Sequence, residues 1–406
     1  MAAWQPSVSV DMDERTVAVY GALDATEGGT IRAATSFLGL GCERFDTPAA
    51  LAAELEGSSP AAVLVAMRSA GAVEVVAHLR GQVRFAGVPV VALTGERSDG
   101  AFSDGYEHGV DDLASSRSMR AIVGRLRPVL ERGAPAAPVR ARGGGGGGSA
   151  GDVVVAGTGL RWRTVVARML SNAGLRPRVV GNVADAVDAA CSPHVRFVVA
   201  CDDLPPEGAA AALFGARSRG ADVPWVVVAP PRRLGSLRVV LGALPRVAFV
   251  DVHAPPDNVL FVANDLSRPQ LAERRASARL LFGTAVAFRV AGSGEDDVGF
   301  TYNVAAGGMF VRTLAAPKGG DEVWLELWPP RSERAVRLVG AVAWSRPYGP
   351  SDGANVPPGF GVRLTGGLPG DLERWEAAYR ALAAQPSPAL RNVSAVPPAL
   401  AASTIT

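Results

Sequence analysis

Three patterns of hydrophobic and polar positions follow one another along the chain. In the first, short apolar runs alternate with amphipathic stretches. Thr16–Gly21 (TVAVYG), Ala61–Met67 (AAVLVAM) and Val88–Thr94 (VPVVALT) predict strands. Their continuous apolar character suits parallel strands covered on both faces. Helices are predicted around Gly29–Leu38, Pro48–Leu55 and Val73–Val83, and Met119–Glu131 closes the segment as an amphipathic helix. Five β–α units with short connections imply a doubly wound parallel sheet. The second pattern repeats the scheme. Strands are predicted at Val153–Ala156, Pro177–Val180, Phe197–Cys201, Val223–Val228 and Val247–Val250, and helices at Trp162–Ala173, Ala184–Ala190, Gly208–Arg217 and Asn258–Leu266. The repeat lies in architecture and length, since residue identity between the copies is slight.

After Pro269 the period changes. Thr284–Val290, Met309–Thr313, Glu322–Trp328, Val336–Trp344 and Phe360–Leu364 alternate apolar with polar residues and are separated by Gly- and Pro-rich turns. That spacing predicts a small antiparallel barrel. Gly370–Ala384 reads as a helix with Leu372, Trp375, Ala378, Tyr379 and Leu382 on one face, fit to close one end of it.

A length of 406 residues suits two or three domains at about 150 residues each. The patterns divide the chain into a tail (1–15), an α/β domain (16–133), a linker (134–151), a second α/β domain (152–266), a barrel with its helix (267–384) and an Ala/Pro/Ser-rich tail (385–406) whose composition predicts disorder. The linker reads APAAPVRARGGGGGGSAG: proline stiffens its first half and Gly143–Gly148 loosen its second.

Charge and cysteine content exclude several classes. Forty-one Lys and Arg against 39 Asp and Glu leave a net charge of +2, so nothing favours nucleic-acid binding. Cys42, Cys191 and Cys201 are far apart and the four histidines are scattered, which argues against a zinc site or a disulfide framework. The first residues lack the basic and apolar regions of a signal peptide, and no run approaches the ~18 apolar residues of a membrane span. The expectation is a reduced, cytoplasmic protein without membrane insertion. No nucleophile–base pair or metal cluster is visible, so no catalytic residue, metal or cofactor is assigned.

The two α/β segments resemble response-regulator receiver domains, most clearly at Val88–Asp112, where VPVVALTG matches the fourth strand with its terminal Thr94 and Gly109–Asp112 (GVDD) the approach to the fifth. A working receiver needs an acidic pair after its first strand to hold Mg²⁺, an Asp after its third as phosphoryl acceptor and a Lys after its fifth. In the first copy the first strand ends Val19-Tyr20-Gly21, the acceptor position falls near Ala66 or Met67, and the Lys position near Ser115 or Ser116. In the second the first strand ends Ala156-Gly157-Thr158, while Asp202 and Asp203 follow the third strand, with Cys201 as an alternative acceptor position. The resemblance implies two pseudo-receivers; Asp202 and Asp203 are at most vestigial phospho-acceptors, and otherwise solvated strand-end carboxylates. Gly157-Thr158-Gly159 also opens a helix after a strand, but bulky Trp162 replaces the third glycine of a dinucleotide fingerprint, so it reads as a tight turn.

Two constellations carry the candidate chemistry. Arg274 and Arg275 precede Arg279, and the spacing of four from Arg275 to Arg279 lets both guanidinium groups converge on phosphate or on a guanine edge. Asn303-Val304-Ala305-Ala306-Gly307-Gly308 offers an amide to a base edge beside two glycines that permit close approach. With Gly307–Thr313 (GGMFVRT) and Gly359–Leu364 (GFGVRL), these elements resemble the PilZ family over about Leu271–Ala384. The resemblance implies a six-stranded barrel binding cyclic di-GMP, with Arg274, Arg275, Arg279, Asn303 and Gly308 at the ligand. One position departs from the family motif, for its Ser is Ala305 here; losing one neutral hydrogen bond of roughly 0.5–1.5 kcal/mol costs about threefold to tenfold in affinity. The implied function is a non-enzymatic cyclic di-GMP effector whose pseudo-receivers form protein-interaction or dimerisation surfaces, a homodimer included, with motility or surface behaviour as output. The rival is a scaffold whose barrel no longer takes the nucleotide.

Overall fold

The computed structural model describes residues 16–85, 87–94, 99–132, 152–267, 277–348 and 355–384. Both tails and the glycine linker lie outside the described residues, as do Arg274 and Arg275.

Strands β1 (Thr16–Tyr20), β2 (Gly41–Phe45), β3 (Ala62–Ala66), β4 (Val90–Thr94) and β5 (Asp112–Ser115) form a parallel sheet in the order β2-β1-β3-β4-β5. This is the flavodoxin-like order. Helices α1 (Ala25–Phe37), α2 (Pro48–Gly57), α3 (Ala72–Gly81), α4 (Asp99–His108) and α5 (Met119–Arg132) cover its faces. Helix α1 starts earlier than the apolar pattern suggests because Asp24 and Glu27 build a capping box, each side chain accepting the other's backbone N–H at 2.8 and 2.9 Å.

The second sheet, of β6 (Asp152–Ala156), β7 (Arg176–Val180), β8 (Val195–Cys201), β9 (Trp225–Ala229) and β10 (Val247–Asp251), repeats the order as β7-β6-β8-β9-β10. Its helices are α6 (Leu160–Asn172), α7 (Val183–Ala190), α8 (Gly208–Ser218), α9 (Pro231–Leu241) and α10 (Asp257–Ser267).

The last third is a closed antiparallel barrel. Strands β12 (Ala285–Val290), β13 (Asp297–Ala305), β14 (Gly308–Arg312), β15 (Glu322–Leu327), β16 (Val336–Arg346) and β17 (Gly359–Gly367) run β13-β12-β15-β16-β17-β14, and β14 returns to pair with β13. A short β11 (Leu280–Leu281) adds to the outside of β13. Helix α11 (Asp371–Ala383) plugs one end: Trp375 is fully buried among Val323, Leu325 and Phe360, and its indole N–H donates to the Ala306 carbonyl at 3.1 Å.

The three units interlock at the start of edge strand β5. Successive residues there point to opposite sides, so adjacent Asp111 and Asp112 serve different neighbours. Asp111 accepts two bonds from Arg168 at 2.6 Å and one from Asn172 at 2.9 Å, both on α6, and pairs with Arg80 of α3 at 3.2 Å. Asp112 accepts the Leu314 backbone N–H of the barrel at 2.6 Å and pairs with Arg125 of α5 at 3.3 Å. Arg125 in turn reaches Asp297 on β13 at 2.7 Å. Arg312 of β14 pairs with Asp257 of α10 and lies 3.8 Å above the Tyr106 ring of α4. Apolar packing continues across the seam, with Phe300 of the barrel 5.4 Å from Tyr106. Among the described residues no helix is long and apolar enough to cross a membrane.

Candidate functional site

An open groove of about 300 Å³ lies on the barrel wall where β13, β14, β17 and β16 meet. Its floor consists of two cross-strand rows fixed by register. One row is Asn303–Phe310–Gly361–Trp344 and the next is Ala305–Gly308–Arg363. At Gly361 a Cβ would fall 2.5 Å from the Trp344 ring nitrogen. Glycine there lets the indole lie flat and stack on Phe310, with centroids 5.0 Å apart and 27° between planes. Gly308 has a different duty from the ligand approach expected of it: a Cβ would meet the Val362 carbonyl at 2.3 Å, so glycine is required by the packing of β14 on β17. Gly307 faces open space.

The groove brings Arg279, Asn303 and Gly308 together, while Arg274 and Arg275 fall outside the described residues. Asn303 is 5% exposed, lines the groove, and its side-chain amide makes no hydrogen bond among the described residues. Its amide atoms are not among the side-chain atoms that are sealed off without a partner, so the Asn303 amide opens onto the groove. Trp344 and Arg363 also line the groove, and neither was singled out from the sequence. Trp344 was legible only as the end of an alternating strand, and Arg363 as the variable position of Gly-x-Gly-Val-x-Leu. Among the described residues no Asp, Glu, His or Cys lines the groove. What the groove offers is guanidinium groups, an amide with both donor and acceptor, an aromatic platform and a smooth floor.

The carboxyl ends of the parallel sheets hold hydrogen-bonded side-chain networks. In the first unit Glu27 is fully buried and accepts from Arg68 at 2.8 Å and from the Ser116 hydroxyl at 2.7 Å. Burial pushes the Glu27 carboxyl up, but the bonds from Arg68, Ser116 and the Asp24 backbone outweigh it and hold the group at about 2. Ser116, near the expected Lys position, is thus committed to an internal carboxylate. In the second unit Asp203 accepts from the Thr158 hydroxyl at 2.5 Å, the Thr158 N–H at 3.1 Å and the Gly159 N–H at 3.2 Å. Burial raises its carboxyl, and the Thr158 bonds more than offset that and hold it below the ordinary range. The same carboxylate fills the Gly157-Thr158-Gly159 turn. Asp202 pairs with Arg233 at 2.9 Å. Among the described residues no group of three His, Cys, Asp or Glu side chains could hold a metal ion.

No protein-family model and no curated protein matches the chain. Solved structures do. The receiver domain of a sensor histidine kinase from Pseudomonas aeruginosa is 18% identical over 29% of this chain and 97% of its own, with a TM-score of 0.26. The inhibitor of motility of Bacillus subtilis is 18% identical over 28% of this chain and 54% of its own (TM-score 0.23). The PilZ domain of the CeSA protein from a cellulose-synthesizing bacterium is 16% identical over 26% of this chain and 95% of its own (TM-score 0.18). The fold itself is read from the strand orders: two flavodoxin-like sheets of receiver type, then a closed six-stranded barrel with a C-terminal helix.

Proposed function

We propose that the protein is a non-enzymatic signalling effector whose barrel groove binds cyclic di-GMP. The observation that carries this reading is the Asn303 amide, which makes no hydrogen bond among the described residues and opens onto a groove that Arg279 and the Trp344 ring also line. The ligand's guanines offer flat faces to the indole and polar edges to the amide, and its two phosphates offer charge to the guanidinium groups. The α/β units take no part in phosphotransfer on this reading, because internal carboxylates already occupy the neighbourhood of the would-be acceptor and Lys positions. They act as surfaces for protein partners.

Calorimetric titration of the full chain with cyclic di-GMP tests this. Wild type is expected to bind at micromolar concentration or tighter. Arg279→Ala should weaken binding by about tenfold to a hundredfold, the worth of a hydrogen bond to a charged group, and Asn303→Ala by about threefold to tenfold. Silence at several hundred micromolar would sink the reading and leave the scaffold alternative, which Ala305 favours.

A further inference from the structure

We propose that Arg363 supplies the ligand contact that the motif serine would have made, so that the groove is a repaired site. The inference rests on the reading of this groove as the cyclic di-GMP site. Four observations carry it. Position 305 is alanine, which removes a hydroxyl from the floor. Ala305, Gly308 and Arg363 stand in one cross-strand row, with Gly308 in register with both others. Neighbouring strands are about 4.8 Å apart, so Ala305 and Arg363 are separated by two such steps, within reach of an arginine side chain and one ligand oxygen between them. Gly308 puts no side chain between them, where a Cβ would meet the Val362 carbonyl at 2.3 Å and the Arg363 Cα at 3.7 Å, and Gly307 beside it faces open space. The Leu364 N–H donates to the Gly307 carbonyl at 3.0 Å, which clamps this part of β17 to the glycine pair.

The fourth observation is that the guanidinium is uncommitted. Arg363 is exposed and lines the groove, and it has no hydrogen bond or ion pair among the described residues. Arg279, in contrast, already has an interaction within the protein. A free cation on the wall of a groove matched to a phosphodiester is there to meet the ligand's charge. A guanidinium bonds a phosphate oxygen more strongly than a neutral hydroxyl does, so the exchange of Ser for Ala at 305 need not lower affinity.

The test is a double-substitution cycle read by titration with cyclic di-GMP at two salt concentrations. Arg363→Ala should weaken binding at least tenfold and flatten its salt dependence, and Arg363→Lys should recover part of the affinity. Ala305→Ser should gain little in the wild-type background but several-fold in Arg363→Ala, because the two side chains compete for one ligand oxygen. Arg363 is exposed on a strand face, so these variants fold, which circular dichroism checks. If Arg363→Ala binds as wild type does, the proposal fails while the groove reading stands. If Ala305→Ser gives the same gain in both backgrounds, Arg363 does not stand in for the serine, and the proposal again fails. If wild type does not bind, both fall together.

Discussion

Glu27 shows how a single buried carboxylate can organise the carboxyl end of a parallel sheet. Its carboxylate ties the α1 cap, Arg68 beyond β3 and Ser116 beyond β5 into one network at the sheet's carboxyl end. A carboxyl held at about 2 against an ordinary 4.5 contributes stability that is fully present above pH 4.5 and is lost as the pH falls through about 2. The full shift corresponds to about 3 kcal/mol, and because Arg68 is half exposed, solvent screening trims this to about 2 kcal/mol. Glu27→Gln should therefore lower stability by that amount at pH 7 in urea unfolding. The gap between variant and wild type should close as the pH drops from 5 towards 2. A gap that persists at pH 2 would mean that the carboxylate's charge is not what holds the network. This residue was not legible in the sequence. A Glu in the first turn of a helix looks like an ordinary cap, and its partners lie 41 and 89 positions away.

At the scale of elements, strands with continuous or alternating apolar patterns were legible, and those relying on neighbours were not. β1, β3 and β4 are buried on both faces, and their sequences say so. β2 (GCERF) is an edge strand with Glu43 and Arg44 at its centre, and it pairs only because β1 offers an open edge. β13 carries Asn303 and Gly299, and a Cβ at Gly299 would meet the Val311 side chain at 2.5 Å, so its glycine is a packing requirement that weakens the strand signal. α9 shows only Leu234, Leu237 and Leu241 to the core amid arginines. Within the groove, Arg279 and Asn303 were legible from motif spacing, whereas Trp344 and Arg363 needed the barrel's register. The aromatic series from Trp344 through Phe310 and Tyr302 to Phe261 of α10 depends on register too; its later centroids are 6.1 Å apart. Phe261 is its only member from outside the barrel. Phe261→Ala should cost about 3–5 kcal/mol in the unfolding of the second unit, and amide exchange of Asp257–Ser267 should accelerate while that of α8 changes less. Equal acceleration in both helices would show that the barrel does not specifically support α10.

For the whole molecule, the decisive charges are the ones patterning assigns to water. Arg80, Arg125 and Arg168 sit in helices and are at most 5% exposed, because each finds acceptors that come from another part of the chain. Arg80 alone bonds the carbonyls of Gly109, Phe85 and Val88 as well as Asp111. Among the described residues Asp111 is a carboxylate shared by Arg80 of the first unit and Arg168 of the second, and burial that would raise it is overcome by those two guanidinium groups, which hold it low. Removing one member of a buried ionic cluster leaves the others uncompensated, at about 3–5 kcal/mol. Asp111→Ala should therefore lower stability by that much. It should also split thermal unfolding, with the second sheet, then held by Arg312–Asp257 and the packing of Phe261, melting before the first sheet and the barrel, which Asp112 and Arg125 still join. Arg168→Ala should have a similar effect, and the double variant should cost far less than the sum, since both changes break one contact. Calorimetric melting of the four proteins reads this directly. A single unchanged transition in Asp111→Ala would mean that the remaining contacts, the Arg312–Asp257 pair and the apolar packing, hold the units together without it. Two transitions would make the Asp111–Arg168 contact the joint through which the pseudo-receivers and the groove-bearing barrel move as one body.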